Sequence, residues 1–316
     1  MEKKKKLLKK NKPGLVLIID LILVLLILFF LPPVGYYSQI QVVFQKPEVF
    51  GTEISLPSVS PIAKNPLNIP PPIITAKSVI VMDVASGMIL YQNNAAQSLP
   101  QASTTKIMTA MVTLETYPLD QILLVPKNFR DGQTIKLPMN EKISVENLLY
   151  ALLVASANDA AEVLAANYPA GREAFVMQMN QKAQQLNLTN THFVNPTGID
   201  EPGQYSSSLD LARLAVVAIQ NPVFSKMVAT KDITISNADN IITYQLTNVN
   251  LLLGKNEWTK GIKTGWTDQA GECLVGLAEK DGRQIITVIL GSQDRFGETE
   301  NLENWVFNNF VWEMPE

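Results

Sequence analysis

The sequence predicts an α+β fold: one sheet sandwiched by helices, with a further helical lobe. Three observations predict it. Strand-like apolar runs lie near both ends of region 76–316, helical patterns fill its middle, and two turn signals, Ala85-Ser86-Gly87 and Asp281-Gly282, join apolar runs as hairpins. A chain of 316 residues can bury a sizeable core.

The elements follow in order. Residues 1–13 form a basic tail, in which residues 2–12 hold seven lysines and one glutamate. The run 14–31 is apolar or Gly apart from Asp20, which puts a transmembrane signal anchor at 14–33. Asp20 costs a few kcal/mol at mid-bilayer on insertion scales, but it sits near the cytoplasmic side among apolar neighbours. Lysines before the span keep the N-terminus inside, so a single-pass protein with an extracytoplasmic domain is expected at the cell membrane. Residues 34–75, with Pro70-Pro71-Pro72 and no sustained periodicity, read as an extended linker. The domain begins at 76 with the hairpin "KSVIVMDVASGMILYQNN".

A helix is expected over 103–117, where Ile107, Met108, Met111 and Leu114 share one stripe. Residues 118–143 read as loops and short strands. "SVENLLYALLVAS" is a helix capped by Ser144, with Asn147 at the third helical position. One long helix is expected over 159–186 and another over 207–220. A β-rich end then contains "ECLVGLAEK" and "RQIITVILG", joined by Asp281-Gly282. An amphipathic helix over 298–312 closes the chain.

Composition narrows the function. Seven of the 26 basic residues and one of the 29 acidic ones fall in 2–12, leaving 19 against 28. An acidic body without a basic stripe argues against a nucleic-acid partner. Cys273 is the only cysteine and His192 the only histidine. A catalytic thiol lacks a partner, both residues read as structural, and no metal-ligand spacing occurs, so neither metal nor cofactor is expected.

Three short motifs remain. In "ASTTKIMTA", Ser103 and Lys106 share a helix face at its first turn. They are either an N-cap with a surface lysine or a nucleophile beside its base, near free backbone N–H groups that suit an oxyanion. In "VASANDAA", Ser156 and Asn158 end an apolar helix, as a cap and turn or as a polar wall. In "KGIKTGWT", Lys263 and Thr264 precede Gly265, where backbone and ligand can approach closely; a strand end with a solvated lysine reads the same. SxxK, SxN and KTG in that order, separated by 53 and 107 residues, are the signature of penicillin-interacting serine enzymes.

Residues 76–312 resemble the D-alanyl-D-alanine carboxypeptidases, the low-molecular-mass penicillin-binding proteins. "SLPQASTTKIMTAMV", "LLVASANDAAEVLA", "NLTNTHFVNPTGID", "TNVNLLLG" and "GIKTGWTDQAGECLVGLA" stand in family order. The resemblance implies a DD-peptidase/β-lactamase-like antiparallel sheet flanked by helices, with a helical subdomain. It implies that Ser103 is acylated, Lys106 is its general base, Ser156 relays a proton, Asn158 holds the substrate amide and Lys263 completes the network. Thr264 would bind the terminal carboxylate, the backbone N–H groups of Ser103 and Trp266 would form the oxyanion hole, and Arg295 would steer the carboxylate. The implied partners are peptidoglycan stem peptides, with β-lactams as inhibitors. Lys106 beside Lys263 in a partly dry cleft should have a depressed pKa.

Gln204, in "QYSSSLD", stands where relatives often carry His, and the second β-domain of many relatives has no counterpart. An endopeptidase would use the same residues. A β-lactamase would need an E-x-x-L-N glutamate after the SxN motif, which is absent, and a non-catalytic wall-binding protein would not need to keep the serine and lysines.

Overall fold

The computed structural model describes residues 61–314. Its centre is a five-stranded antiparallel sheet in the order β3-β2-β10-β9-β8. The strands are β2 (Ser78–Asp83), β3 (Ile89–Asn93), β8 (Thr259–Thr267), β9 (Gly271–Lys280) and β10 (Arg283–Ser292). Alternation assigns the faces. Val79, Val81, Ile285 and Ile289 meet Leu302 and Val306 on one side, while Ile80, Met82, Ile286 and Val288 enter the larger core. The expected β9–β10 hairpin is present, with Asp281 and Gly282 both at positive φ, as a type I′ turn requires.

Helices cover both faces. The segment predicted as one helix over 103–117 is a 3₁₀ turn, Ala102–Thr105, followed by α1 (Lys106–Thr116). Ser144 caps α2 (Val145–Leu153) as expected, accepting from Asn147 N at 3.2 Å. The long helix expected over 159–186 is two, α3 (Asn158–Ala166) and α4 (Gly171–Gln185). Pro169 lacks an N–H, and Ala170 and Gly171 turn left-handed behind it, so the helical ladder stops there. Ser207 caps α5 (Ser208–Ala218), which packs on β2 and β10. Sequence reading missed α6 (Pro222–Val228), a short helix started by the Asn221 cap with Pro222 in its first turn. The final helix begins three residues earlier than predicted: Asp294 caps α7 (Arg295–Asn309), which covers β9 and β10. Two small hairpins, β4 (Ile122–Leu124) with β5 (Lys142–Ser144) and β6 (Asp232–Ser236) with β7 (Thr243–Thr247), flank the helices.

The domain starts before residue 76. Within the stretch predicted as linker, β1 (Ile62–Lys64) pairs antiparallel with β11 (Val311–Glu313), and Ala63 is fully buried. Thr75 N–H donates to the Glu298 carboxylate. A three-residue strand among prolines is too short to carry a periodic signal. The expected anchor, 14–33, and basic tail, 1–13, lie outside the described residues; among those described, no helix is long and apolar enough to cross a membrane.

Between α7 and the sheet, Glu303 is buried with neither carboxyl oxygen hydrogen-bonded, near Gly276 of β9. Burial, with Glu300 nearby, pushes its carboxyl up to about 8, and the Trp258 indole offsets only part of this. A folded state that holds a proton the unfolded chain has released loses stability as pH rises from the ordinary carboxylate range towards 8. Glu303→Gln keeps the shape without the charge. Thermal melts should therefore show a higher Tm at pH 8 than for the wild type and a flatter slope between pH 5 and 8; parallel curves would disprove the account.

Candidate active site

The buried N-terminus of α1 creates the site. Lys106 opens the helix with its side chain wholly inside the protein. Its Nζ lies 2.8 Å from Ser103 Oγ, 2.6 Å from Asn158 Oδ1 and 2.7 Å from the Thr197 carbonyl oxygen. Burial first, then the charge of Lys263, drives the Lys106 amine well below its ordinary pKa; Asp159 and Glu162 pull weakly the other way. A neutral amine fits these three neighbours. A protonated Lys106 donates to all three oxygens; on losing one proton it can keep the two carbonyl contacts and turn its lone pair to the Ser103 hydroxyl.

The second wall is the link between α2 and α3. Ser156 is held at φ 59, a strained left-handed conformation for a residue with a Cβ, and lines the cleft. Its hydroxyl has no hydrogen-bond partner among the described residues. Asn158 is more committed than sequence suggested. Besides accepting from Lys106, it donates from Nδ2 to the Asp131 carbonyl at 2.8 Å, and its N–H binds the Gln133 carbonyl at 2.7 Å. It ties the lysine to the loop that forms the mouth of the cleft, with one amide hydrogen left over. Asp159, fully buried, holds the same loop by accepting from Ile135 N and Leu137 N.

The third wall is β8. Gly265 passes so close to the 3₁₀ turn that a Cβ there would sit 2.7 Å from Ser103 N, which puts the start of Trp266 beside the serine. Lys263 and Thr264 are buried, and Trp266 is 59 % exposed at the mouth. Among the described residues Lys263 Nζ donates only to the adjacent Thr264 carbonyl, at 3.0 Å. Burial, then the nearby Arg295 charge, lowers its amine to about 7. Arg295 opens α7 and reaches back to β8, where Nη1 donates to the Gly265 carbonyl at 2.9 Å and Nε is buried with no partner among the described residues. The cleft enclosed by these walls measures about 760 Å³ and is lined by Ser103, Ser156, Asn158, Thr264, Gly265, Trp266 and Arg295. All nine residues singled out from the sequence thus converge on it, with Lys106 and Lys263 reaching it from beneath.

Sequence reading missed the segment behind Lys106. The Thr197 carbonyl is a backbone group, so residue type does not announce it. Asn195 Oδ1 accepts from Thr197 N, Thr197 Oγ1 and Gly198 N, fixing the turn. Gly198 is obligatory, since a Cβ there would lie 1.9 Å from the Ala102 carbonyl oxygen. Gln204, where relatives often have His, accepts from Val194 N and Asn195 N and donates to Thr105 Oγ1 at 3.0 Å, clamping this segment onto the serine turn. Neither residue read as structural enters the cleft. His192 Nδ1 lies 2.7 Å from the Gly203 carbonyl oxygen, and Cys273 is buried with its thiol pushed up to about 11.

A serine whose hydroxyl meets a desolvated lysine, between an SxN turn and a KTG strand on this fold, defines a serine peptidase of the SxxK type. Residues 65–294 match the family described as D-alanyl-D-alanine carboxypeptidase, and the chain belongs to that family. It is 34 % identical over 246 residues to a D-alanyl-D-alanine endopeptidase of Pseudomonas aeruginosa, covering 75 % of this chain and 79 % of the relative. It is 32 % identical to D-alanyl-D-alanine carboxypeptidase DacF of Bacillus subtilis, covering 74 % of this chain and 63 % of that one. The crystal structure of the Streptomyces K15 DD-transpeptidase superposes with a TM-score of 0.71 at 30 % identity, over 76 % of this chain and all of that one.

Proposed function

We propose that this protein is a serine-type D-Ala-D-Ala carboxypeptidase that removes the terminal D-alanine from peptidoglycan stem peptides. The observation that carries the proposal is the Lys106 Nζ to Ser103 Oγ contact, made by an amine disposed to be neutral. Lys106 takes the hydroxyl proton as Ser103 Oγ attacks the scissile carbonyl carbon. The backbone N–H groups of Ser103 and Trp266 hold the oxyanion. The C–N bond breaks, and the departing D-alanine amine receives a proton through Ser156, with Lys263 as part of the same network. Water then attacks the ester, Lys106 again acting as base, and Ser103 is restored. Asn158 fixes Lys106 and offers its remaining amide hydrogen to the substrate. A β-lactam meets the same serine and stays attached.

Mass spectrometry of muropeptides before and after incubation with the protein tests this reading. Loss of one alanine from pentapeptide stems, with cross-linked dimers intact, is expected. A second reading, an endopeptidase, is favoured by the Pseudomonas aeruginosa and Escherichia coli relatives that bear that name; conversion of dimers to monomers would establish it instead.

Thr264 and Arg295 are the proposed carboxylate site. A charge-assisted hydrogen bond is worth roughly 1.5–3 kcal/mol, so Arg295→Ala should lower kcat/KM on free-carboxylate peptides by about one to two powers of ten. An amidated peptide should be a poor substrate already and little affected. Equal losses on both would mean that Arg295 acts only by holding β8. The pH profile gives a second readout. Activity rises as Lys106 deprotonates and falls as Lys263 loses its proton near 7. Removing the Arg295 charge favours charged Lys263, so the falling limb should move to higher pH.

We further propose that residues 14–33 anchor the protein in the cell membrane by a single span, with the tail inside and the catalytic domain outside. The apolar run 14–31 and its preceding lysines support this. Protease added to intact spheroplasts should digest the domain; a protected domain would refute the topology.

A further inference from the structure

Past Asn158 the cleft leads into a second cavity of about 560 Å³, and the two share Asp131, Asn158 and Ile199 as a common wall. Thr264 and Arg295 line the cleft but not the second cavity. A peptide with its carboxyl end held by those two residues, and its scissile carbonyl at Ser103, sends its upstream residues towards the opposite wall, where this cavity opens.

Its charges are unevenly spent. Arg172 grips Glu162 through Nε at 2.7 Å and Nη2 at 3.1 Å, which uses both carboxylate oxygens and leaves Nη1 without a protein partner among the described residues. Lys127 Nζ stands 5.1 Å over the Phe129 ring and makes no ion pair there. Among the described residues the Asp131 side chain also has no hydrogen-bond partner; only its backbone carbonyl is engaged, by Asn158. The Lys127 ammonium, the free Nη1 edge of the Arg172–Glu162 pair and the Asp131 carboxylate therefore face the same space.

We propose that this cavity is the subsite for a stem-peptide side chain ending in a zwitterion, an ammonium and a carboxylate on one carbon. The carboxylate meets Lys127 and the free edge of Arg172, and the ammonium meets Asp131. A side chain ending in a plain amine satisfies Asp131 alone, is repelled by Lys127 and leaves the Arg172 edge unmet. A neutral side chain answers none of the three. The inference rests on the stem-peptide reading of the site and adds to it the chemical class of the residue next to the scissile D-Ala-D-Ala.

The test uses the full chain and three synthetic peptides ending in D-Ala-D-Ala, whose preceding side chain ends in an amino acid, a plain amine or an acetylated amine. The readout is protection of the protein against labelling by fluorescent penicillin, which requires binding but not turnover. The zwitterionic peptide should protect at a concentration about threefold to tenfold lower than the amine, the range expected for partly exposed ion pairs. Lys127→Glu, an exposed change that disturbs no buried contact, should remove that advantage and improve the amine. Asp131→Asn should weaken both. Equal protection by all three peptides, or an order unchanged by Lys127→Glu, would overturn the subsite and leave the carboxypeptidase reading standing. No protection by any peptide, with penicillin labelling intact, would sink the stem-peptide reading and the subsite together.

Discussion

The Ser103→Ala variant should take up no fluorescent penicillin while keeping the wild-type circular dichroism and melting temperature. The side chain is only partly buried and its hydroxyl serves a single contact, to Lys106, so its loss leaves the core unchanged. Among the described residues no other serine or threonine hydroxyl lies within hydrogen-bonding distance of a lysine nitrogen. Ser156 shares the cleft, but no lysine nitrogen lies within hydrogen-bonding distance of its oxygen. Covalent label recovered on Ser156, or on any residue of the alanine variant, would refute the assignment of the nucleophile.

Lys106→Ala should acylate about 10²–10⁴-fold more slowly, the usual cost of losing a general base. The rising limb of the pH profile should vanish with the amine that titrates there. The substitution also deprives the Asn158 and Thr197 oxygens of their shared donor, so some stability should be lost as well. The two effects separate on saturation with penicillin. A folding defect lowers the fraction of protein that can be labelled, whereas loss of the base lowers the rate at which all of it is labelled. Near wild-type rates would mean that another group, Lys263 being nearest in chemistry, accepts the serine proton.

The chemistry was legible in the sequence because it depends on side-chain type. Only a serine, an amine and a hydroxyl–amide pair can fill the roles at Ser103, Lys106, Ser156 and Asn158, and spacing on a helix start and a helix end brings them together. What stayed hidden depends on backbone. The Thr197 and Asp131 carbonyls hold Lys106 and Asn158, but a carbonyl is present at every position and leaves no trace in residue identity. Gly198 stands in the quoted block "NLTNTHFVNPTGID", but its reason, close approach to the Ala102 carbonyl, requires segments nearly a hundred positions apart to meet. The fold shows the same division. Ser144, Asp281 and Gly282 are local signals, and their helix cap and hairpin were found. The break at Pro169, the short helix α6 and the strand β1 were missed. The first lies between two stretches that each suit a helix, so the reading ran through it, and the other two are too short to have a period.

The β1–β11 clasp bears on how the chain could be rewired. Ile62 faces Glu313 and Lys64 faces Val311, so the two ends of the described domain lie side by side rather than at opposite poles. A short peptide could join residue 313 to residue 62 without crossing the sheet, and new ends could be opened in an exposed surface turn such as Asp281-Gly282. The same neighbourhood means that a passenger fused after Met314 would emerge beside the entry strand. A fluorophore there and a quencher near residue 61 would then report whether this ladder of three residue pairs is formed.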